Sequence, residues 1–153
     1  MRKWLKHLKN QKGLTLIELL AVVVILGIIA AIAVPAIGNI IDDSKDDAHR
    51  SNALLIINAA KLGIVTDEVK PNGNGNITIQ SLVDAGLLDA VPADPSNDDQ
   101  TYNPTGSYVN ISKNTNNKNK YSLTLVSITT GATPYYSNIS ETNINGAIKP
   151  VTP

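Results

Sequence analysis

Residues 12–41 read KGLTLIELLAVVVILGIIAAIAVPAIGNII, and this stretch decides the architecture of the chain. From Leu19 to Ile41 there are 23 consecutive residues without a charged side chain. A run of roughly 18 or more such residues is typical of a membrane-crossing helix rather than a helix in a globular core. A chain of 153 residues is also too short to cover such a helix on every side. The run therefore predicts a transmembrane helix.

The charged residues are distributed unevenly around this run. Residues 1–13 carry five basic side chains and no acidic one, although the formal charge of the whole chain is zero. The positive-inside rule therefore predicts that residues 1–13 stay in the cytoplasm and that everything after Ile41 lies outside. The remainder of the chain is net acidic, which argues against direct binding of nucleic acid, because phosphate recognition needs a basic patch.

The composition excludes several kinds of catalytic site. Cysteine is absent, so the chain can form neither a disulfide framework nor a thiolate site. With only two histidines, a zinc or haem site is not expected. The sequence also contains no recognisable nucleophile–base pair and no phosphate-binding loop. We therefore predict a protein that is not an enzyme, has no catalytic residues and uses no cofactor.

Glu18 directly precedes the apolar run, close to the start of the predicted span, and it needs an explanation. A carboxylate inside a membrane span costs about 2.5–3.5 kcal/mol on insertion scales, so it indicates a function unless it reaches the membrane surface. Three interpretations of the N-terminus remain open on the residues alone. The first is a secretory signal peptide that is cleaved after Ala33, and the second is an uncleaved membrane anchor. The third is a signal from which only the basic leader is removed, so that the helix is retained.

The segment Lys12–Leu20 resembles the prepilin processing motif of type IV pilins and pseudopilins. The resemblance extends to Pro35 and includes the glycine, the threonine, the glutamate and about twenty apolar residues. It implies that a prepilin peptidase and methyltransferase cuts between Gly13 and Leu14 and methylates the new amine of Leu14. One departure is Leu14 itself, because the family most often has phenylalanine there.

The resemblance also implies roles for residues inside the span. The free amine of Leu14 and the carboxylate of Glu18 would pair, either within one helix or between neighbouring helices, where the pair would set the axial register of stacked subunits. In assembled filaments of this family the helix loosens between its glycine and proline positions. This places a flexible segment at Gly27–Pro35, although glycine and proline are also common in membrane helices generally.

The helical pattern continues beyond the charged stretch Asp42–Asp47, which is expected to be a solvated boundary of the membrane span. We predict one helix over residues 15–62, ending near Gly63, with its second half packed on a head domain. The residues expected on the packed face are Ala48, Ala53, Leu55, Ile56, Ala59, Ala60 and Leu62.

The rest of the chain predicts a small head with a sheet. A short helix is expected over residues 78–85, and strands over 107–112 and 121–128, with a third within 135–139 or 147–151. The predicted fold class is α+β, with the long helix and antiparallel sheet forming the lollipop of pilins. The predicted domains are a leader at 1–13, a transmembrane or filament-core helix at 14–41, and an extracytoplasmic head at 42–153.

Three further patterns in the head are weaker. Asp94, Asp98 and Asp99 could supply oxygen ligands to calcium, although a solvated acidic loop is the favoured interpretation. Asn76, Asn110 and Asn138 each begin a glycosylation sequon, as expected by chance in an Asn-rich chain. His49 lies among charged residues and has no evident partner.

These observations predict a structural subunit that polymerises through its N-terminal helix into a type IV pilus for adhesion, twitching motility or DNA uptake. A pseudopilin of a type II secretion or competence system is the first alternative, and a membrane-anchored or secreted binding module is the second. The expected partners are other copies of the chain, the peptidase, an assembly ATPase and a platform protein. The subunit would span the cytoplasmic membrane once and then join a filament at the cell surface. The absence of cysteine fits a Gram-positive host.

Overall fold

A computed structural model describes residues 15–129 and 131–145 of the chain. Along the chain the elements are α1 (Leu16–Val65), β1 (Asn76–Thr78), α2 (Ile79–Asp84), β2 (Tyr108–Lys113), β3 (Asn119–Leu125), β4 (Tyr136–Ser140) and α3 (Glu141–Asn145). The chain divides into two compact units, and the division falls between Asp42 and Asp43. The predicted strand at 147–151 lies outside the described residues.

The described part of the first unit is the N-terminal half of α1. The helix assignment continues through Pro35, which lies inside the 50-residue element. Every large apolar side chain from Leu16 to Ile41 is exposed, with exposed fractions between 46% and 85%. This part of the helix is apolar on all sides, and the described residues bury none of its large apolar side chains.

The second unit begins with the C-terminal half of α1, which is amphipathic. Ala53, Ile56, Ile57 and Ala60 are buried at the three- and four-residue steps of one helix face. The helix ends at Val65, and Asp67 then adopts a left-handed backbone conformation with φ of 58°. The amide of Glu68 donates to the carbonyl of Gly63 at 2.9 Å, so one of the last helical carbonyls has a partner after the helix has ended.

A four-stranded antiparallel sheet follows in the order β1-β2-β3-β4. Because side chains alternate along each strand, Ile77, Val109 and Leu123 share the inner face. They belong to one hydrophobic core with the buried residues of α1 and with Leu82 of α2. The ladder between β3 and β4 is interrupted by a register shift between Leu123 and Leu125.

Gly63 fits the core because it has no side chain. A Cβ atom there would collide with side-chain atoms of Val69 and Leu87. These two residues close over the end of α1, and only glycine leaves enough space for them at this position.

The structure confirms the α+β class, with the long helix and a small antiparallel sheet. It corrects the packed face of α1, because Leu55 and Leu62 are 50% and 54% exposed and Ile57 is buried in their place. The helix also continues past Gly63 to Val65. The short helix predicted over 78–85 is present as α2, with Thr78 as its N-cap, whereas strand β1, which ends at Thr78, was not predicted.

Two strand boundaries differ from the prediction. The strand expected over 121–128 runs from Asn119 to Leu125, and beyond its last pair with β4 the chain turns to Tyr102, which forms an isolated bridge with Ser127. The third strand is Tyr136–Ser140, close to the first of the two predicted positions. The loop at 114–118 connects β2 and β3 as a hairpin, and Asn117 adopts a left-handed conformation there with φ of 60°.

Candidate functional site

At the start of α1, Thr15 and Glu18 form three reciprocal hydrogen bonds. The backbone N–H of Thr15 donates to Glu18 Oε2 at 2.8 Å, and the Thr15 hydroxyl donates to the same oxygen at 2.9 Å. In return, the backbone N–H of Glu18 donates to Thr15 Oγ1 at 3.3 Å. This is a capping box, in which a threonine and a glutamate three residues later satisfy amides at the helix start.

The capping box adds a role for Glu18 that the predicted amine pairing did not include. Both hydrogen bonds that the Glu18 carboxylate accepts from Thr15 end at Oε2. Oε1 accepts no hydrogen bond from the described residues. One carboxylate oxygen is therefore engaged within the helix and the other is open to a partner. The signal for Thr15 was present in the sequence, because Thr15-Leu16-Ile17-Glu18 has the spacing of a capping box.

Of the residues predicted to act in processing and in helix flexibility, the structure describes the two flexibility positions only. Gly13 and Leu14 lie outside the described residues. Gly27 and Pro35 both lie inside α1, and a Cβ atom at Gly27 would meet no atom within 4 Å. No close contact with another described residue therefore requires glycine at that position.

The first half of α1 has the length and composition to cross a membrane. It contains the most apolar part of a single continuous helix, and none of that part is buried by the residues that the structure describes. At the end of this part, Asp47 is exposed and lies 3.4 Å from Arg50, while Asp46 is largely buried. The charged stretch therefore is not uniformly solvated, as the sequence had suggested.

A buried polar cluster in the second unit contains His49, for which no partner was evident from the sequence. The imidazole is 1% exposed, with Nδ1 at 2.7 Å from the Tyr102 hydroxyl and Nε2 at 2.9 Å from Ser96 Oγ. Its ring also lies against the ring of Tyr135, with centroids 4.1 Å apart. His49 therefore links α1 to the loop that precedes β2 and to the residue that precedes β4.

Asp94 is the acidic member of this cluster. One carboxylate oxygen accepts from the Tyr135 hydroxyl at 2.9 Å and from the Asn97 amide at 2.9 Å, and the other accepts from the backbone of Ser96 at 3.1 Å. Asp98 and Asp99 are exposed, whereas Asp94 is buried. Among the described residues, no group of three or more histidine, cysteine or acidic side chains is arranged to hold a metal ion.

Burial changes the proton affinities of the cluster. It lowers the pKa of His49, and the nearby carboxylates of Asp94 and Asp46 only partly oppose this effect. Burial also raises the pKa of Tyr135 to about 12, with a further contribution from its hydrogen bond to Asp94. At neutral pH the cluster therefore holds a neutral imidazole and protonated tyrosines.

The three sequon asparagines lie on the outer face of the sheet. Asn76 pairs with Asn110 across β1 and β2, and Asn138 lies in β4. All three line one shallow concavity of about 280 Å³ together with Asn74 and Tyr108. Sequence reasoning found these residues singly and missed that the sheet register brings them together.

Comparison with known proteins identifies the N-terminal segment. Residues 8–34 match the family model of the prokaryotic N-terminal methylation motif, which is the class III signal peptide of type IV pilins and pseudopilins. The match covers the predicted processing site, Glu18 and most of the apolar run, and it supports a pilin-like or pseudopilin-like precursor. Comparisons with curated proteins and with solved structures find no match.

Proposed function

We propose that the protein is the precursor of a structural subunit that polymerises into a type IV pilus. The observation that carries the proposal is the exposed apolar half of α1, most of which lies within the match to the methylation motif. Proteins with this motif are structural subunits. In this proposal the protein is therefore a substrate of processing and assembly enzymes and has no catalytic activity of its own.

The exposed half of α1 requires two successive environments. Before assembly, lipid covers it, with residues 1–13 on the cytoplasmic side as the charge asymmetry predicts. After assembly, the same surface packs against the helices of other copies in the filament core. Lipid chains are as apolar as these side chains, so leaving the membrane yields little hydrophobic free energy. The free energy for moving the helix out of the membrane must therefore come from helix packing and from an assembly ATPase that acts through a platform protein.

Glu18 gives the helix–helix packing a fixed register in this proposal. After cleavage between Gly13 and Leu14, the new amine of Leu14 is a cation at the end of an apolar helix. Glu18 Oε1 is open to such a cation, while Oε2 is held by Thr15. In an apolar filament core an unpaired charge is strongly unfavourable, so each subunit is stable only where an amine meets a carboxylate.

The first experiment is the intact mass of the protein purified from its own cells, with fragmentation of its N-terminus. We expect a chain that begins at Leu14 and is heavier by the mass of one added methyl group. A chain that begins at Val34 would identify a secreted domain and contradict the proposal. An unprocessed Met1 in cells that contain the peptidase would identify a simple anchor and would contradict it as well.

A matched pair of variants then tests the role of Glu18. Glu18→Gln removes the charge but keeps an oxygen that can accept from Thr15, whereas Thr15→Ala weakens the cap, at a cost of about 1 kcal/mol, and keeps the charge. We expect Glu18→Gln to abolish filaments in electron micrographs of sheared cells and Thr15→Ala to retain them, with both precursors still cleaved. Equal loss in both variants would show that Glu18 acts only as a cap.

A pseudopilin remains the alternative within the same motif class. A pilus subunit and a pseudopilin are distinguished by where in the cell the polymer is found when the protein is expressed at its native level. A pilus is recovered by shearing intact cells, whereas a pseudopilus stays within the envelope and its loss blocks secretion or DNA uptake. Recovery of this chain only from the envelope fraction would replace the pilus proposal with the pseudopilin.

A further inference from the structure

The outer face of the sheet carries a concave surface that the proposed function does not use. We call it the Asn pocket, and its lining residues are Asn74, Asn76, Tyr108, Asn110 and Asn138. It arises from the strand register, because Tyr108 and Asn110 flank the core residue Val109 and so point away from the core. Among the described residues, its lining contains four amide side chains, one phenol and no charged group.

The asparagines of the pocket are held in defined positions. Asn110 Nδ2 donates to the carbonyl of Asn74 at 3.1 Å and to Asn76 Oδ1 at 2.7 Å. Asn138 adopts a left-handed backbone conformation with φ of 51°, and its Oδ1 accepts from Ser122 Oγ at 2.6 Å. A non-glycine residue in this region is strained, and it persists where the surrounding structure holds it.

These internal bonds leave a specific set of groups open. Within the described part of the chain, neither the Nδ2 groups of Asn76 and Asn138 nor the Tyr108 hydroxyl donates a hydrogen bond to another residue. Asn110 Oδ1 likewise accepts none there. The pocket thus offers amide donors, an amide acceptor and a half-buried aromatic ring within one concavity.

We propose that the Asn pocket binds a neutral saccharide. A sugar hydroxyl both donates and accepts hydrogen bonds, so it matches amide groups that offer both functions side by side. The C–H face of a sugar ring is apolar and packs on an aromatic face such as that of Tyr108. No lysine or arginine of the described residues lines the pocket, which disfavours phosphate and other anions, because these bind where Lys or Arg is present.

The proposal rests on the head alone and is independent of filament formation. A shallow site of this size has few contacts, so we expect a dissociation constant on the order of 1 mM for a single site. If many copies are displayed along one polymer, several weak sites engage one polysaccharide together, and the apparent affinity rises by about two to four orders of magnitude.

The test uses the full chain in micelles of a detergent without a sugar headgroup, since a maltoside would compete for the site. The probes are short cello-, chito- and manno-oligosaccharides, titrated while the side-chain amide resonances of Asn76, Asn110 and Asn138 are followed by NMR. We expect saturable shifts of these resonances with at least one probe. The amide of Asn58, which is exposed on α1, should not shift.

Variants separate a binding site from a general surface effect. Tyr108→Leu should weaken binding at least tenfold, whereas Tyr108→Phe keeps the ring and should stay within a few-fold of the native protein. Asn138→Ala should weaken binding, and Asn58→Ala, the same substitution outside the pocket, should leave it unchanged. Unfolding curves monitored by tyrosine fluorescence establish that each variant is folded.

Several outcomes would overturn the proposal. One is the absence of saturable shifts with every saccharide at concentrations well above the expected dissociation constant. Another is unchanged binding in Tyr108→Leu, which would place the contact elsewhere. Equal shifts with inorganic phosphate would indicate an anion site instead. Finally, a glycan attached covalently to Asn138 in protein from native cells would mean that the pocket is a modification site rather than a receptor.

Discussion

The two halves of α1 are built from similar residues but have opposite relations to the rest of the chain. Ile25 in the first half is 57% exposed, whereas Ile56 in the second half is fully buried. Both lie in one continuous helix and both are flanked by aliphatic residues. The difference is what surrounds each residue, since Ile56 belongs to the hydrophobic core of the second unit and Ile25 is exposed.

This contrast shows that hydrophobicity alone does not say what covers a helix. The first half is apolar on every side and needs a partner outside the chain, whether lipid or other copies. The second half has one buried face and one exposed face, and it is stabilised within the chain. A helix of this kind separates folding from assembly, because substitutions in one half should leave the other process unaffected.

The sharpest test of this separation is the pair Ile56→Ala and Ile25→Ala. Removing buried atoms at Ile56 leaves a cavity, and we expect a loss of about 2–5 kcal/mol of head stability. Ile25→Ala should change head stability by less than about 0.5 kcal/mol. Urea unfolding in micelles measures this through tyrosine fluorescence, since all five tyrosines lie between residues 102 and 136.

A large loss of head stability in Ile25→Ala would contradict the separation of the two halves. The complementary measurement is filament yield. We expect Ile25→Ala to lower it while the head remains fully folded, because only the packing between copies is weakened.

A second pair uses the two glycines of α1. Gly63→Ala should destabilise the head by about 1–3 kcal/mol, since its Cβ atom would collide with Val69 and Leu87. Gly27→Ala meets no atom within 4 Å and should leave the head unchanged, while it favours the helix by about 0.5–1 kcal/mol. Equal effects of the two substitutions on urea unfolding would show that Gly63 tolerates a side chain.

Much of this architecture could be predicted from the sequence, because the strongest signal is local. The uncharged run and the motif around Glu18 predict the first half of α1 without any tertiary information. Strands β2 and β3 could also be predicted, because the alternation of apolar and polar side chains along a strand is a local pattern. The packed face of the second half was predicted less well, because Ala53–Ile57 is apolar at every position and therefore shows no clear period.

The remaining features depend on contacts between distant residues. His49 meets Tyr102 and Tyr135 only because the sheet brings residues 53 and 86 positions away in sequence back to α1. The Asn pocket likewise depends on the register of three strands. Strand β1 has three residues, too few to show alternation, and it is identified only by its pairing with β2.

The buried His49 predicts that the stability of the head depends on pH. Its pKa is lowered in the folded state because burial disfavours the imidazolium, despite Asp94 and Asp46 nearby. Below the ordinary value of about 6.5 the unfolded chain binds a proton that the folded head resists, so stability falls as pH falls. The titration of this one group changes the free energy of unfolding by less than about 1.4 kcal/mol per pH unit.

The measurement is urea unfolding between pH 7.5 and pH 5 for the processed chain, in which His49 would be the only histidine. His49→Gln keeps a hydrogen-bonding side chain without the titration. It should be less stable than the native head at pH 7.5 and should lose less stability on acidification. A native head whose stability is the same at both pH values would contradict the buried neutral imidazole.

The smallest expected effect concerns the ion pair between Lys61 of α1 and Glu141 at the start of α3, whose charged atoms lie 2.5 Å apart. Each side chain is 33% exposed, so water screens the pair, and we expect a coupling of about 0.2–1 kcal/mol. Lys61 also lies 5.4 Å from the ring centre of Tyr121, so replacing it alone removes two interactions. A double-mutant cycle of Lys61→Met and Glu141→Gln isolates the ion pair, and its coupling should shrink in 1 M salt. A coupling well above 1 kcal/mol that salt does not reduce would mean that α3 is held to α1 by a shielded ion pair, and that this end of the head depends on charge as much as on its apolar core.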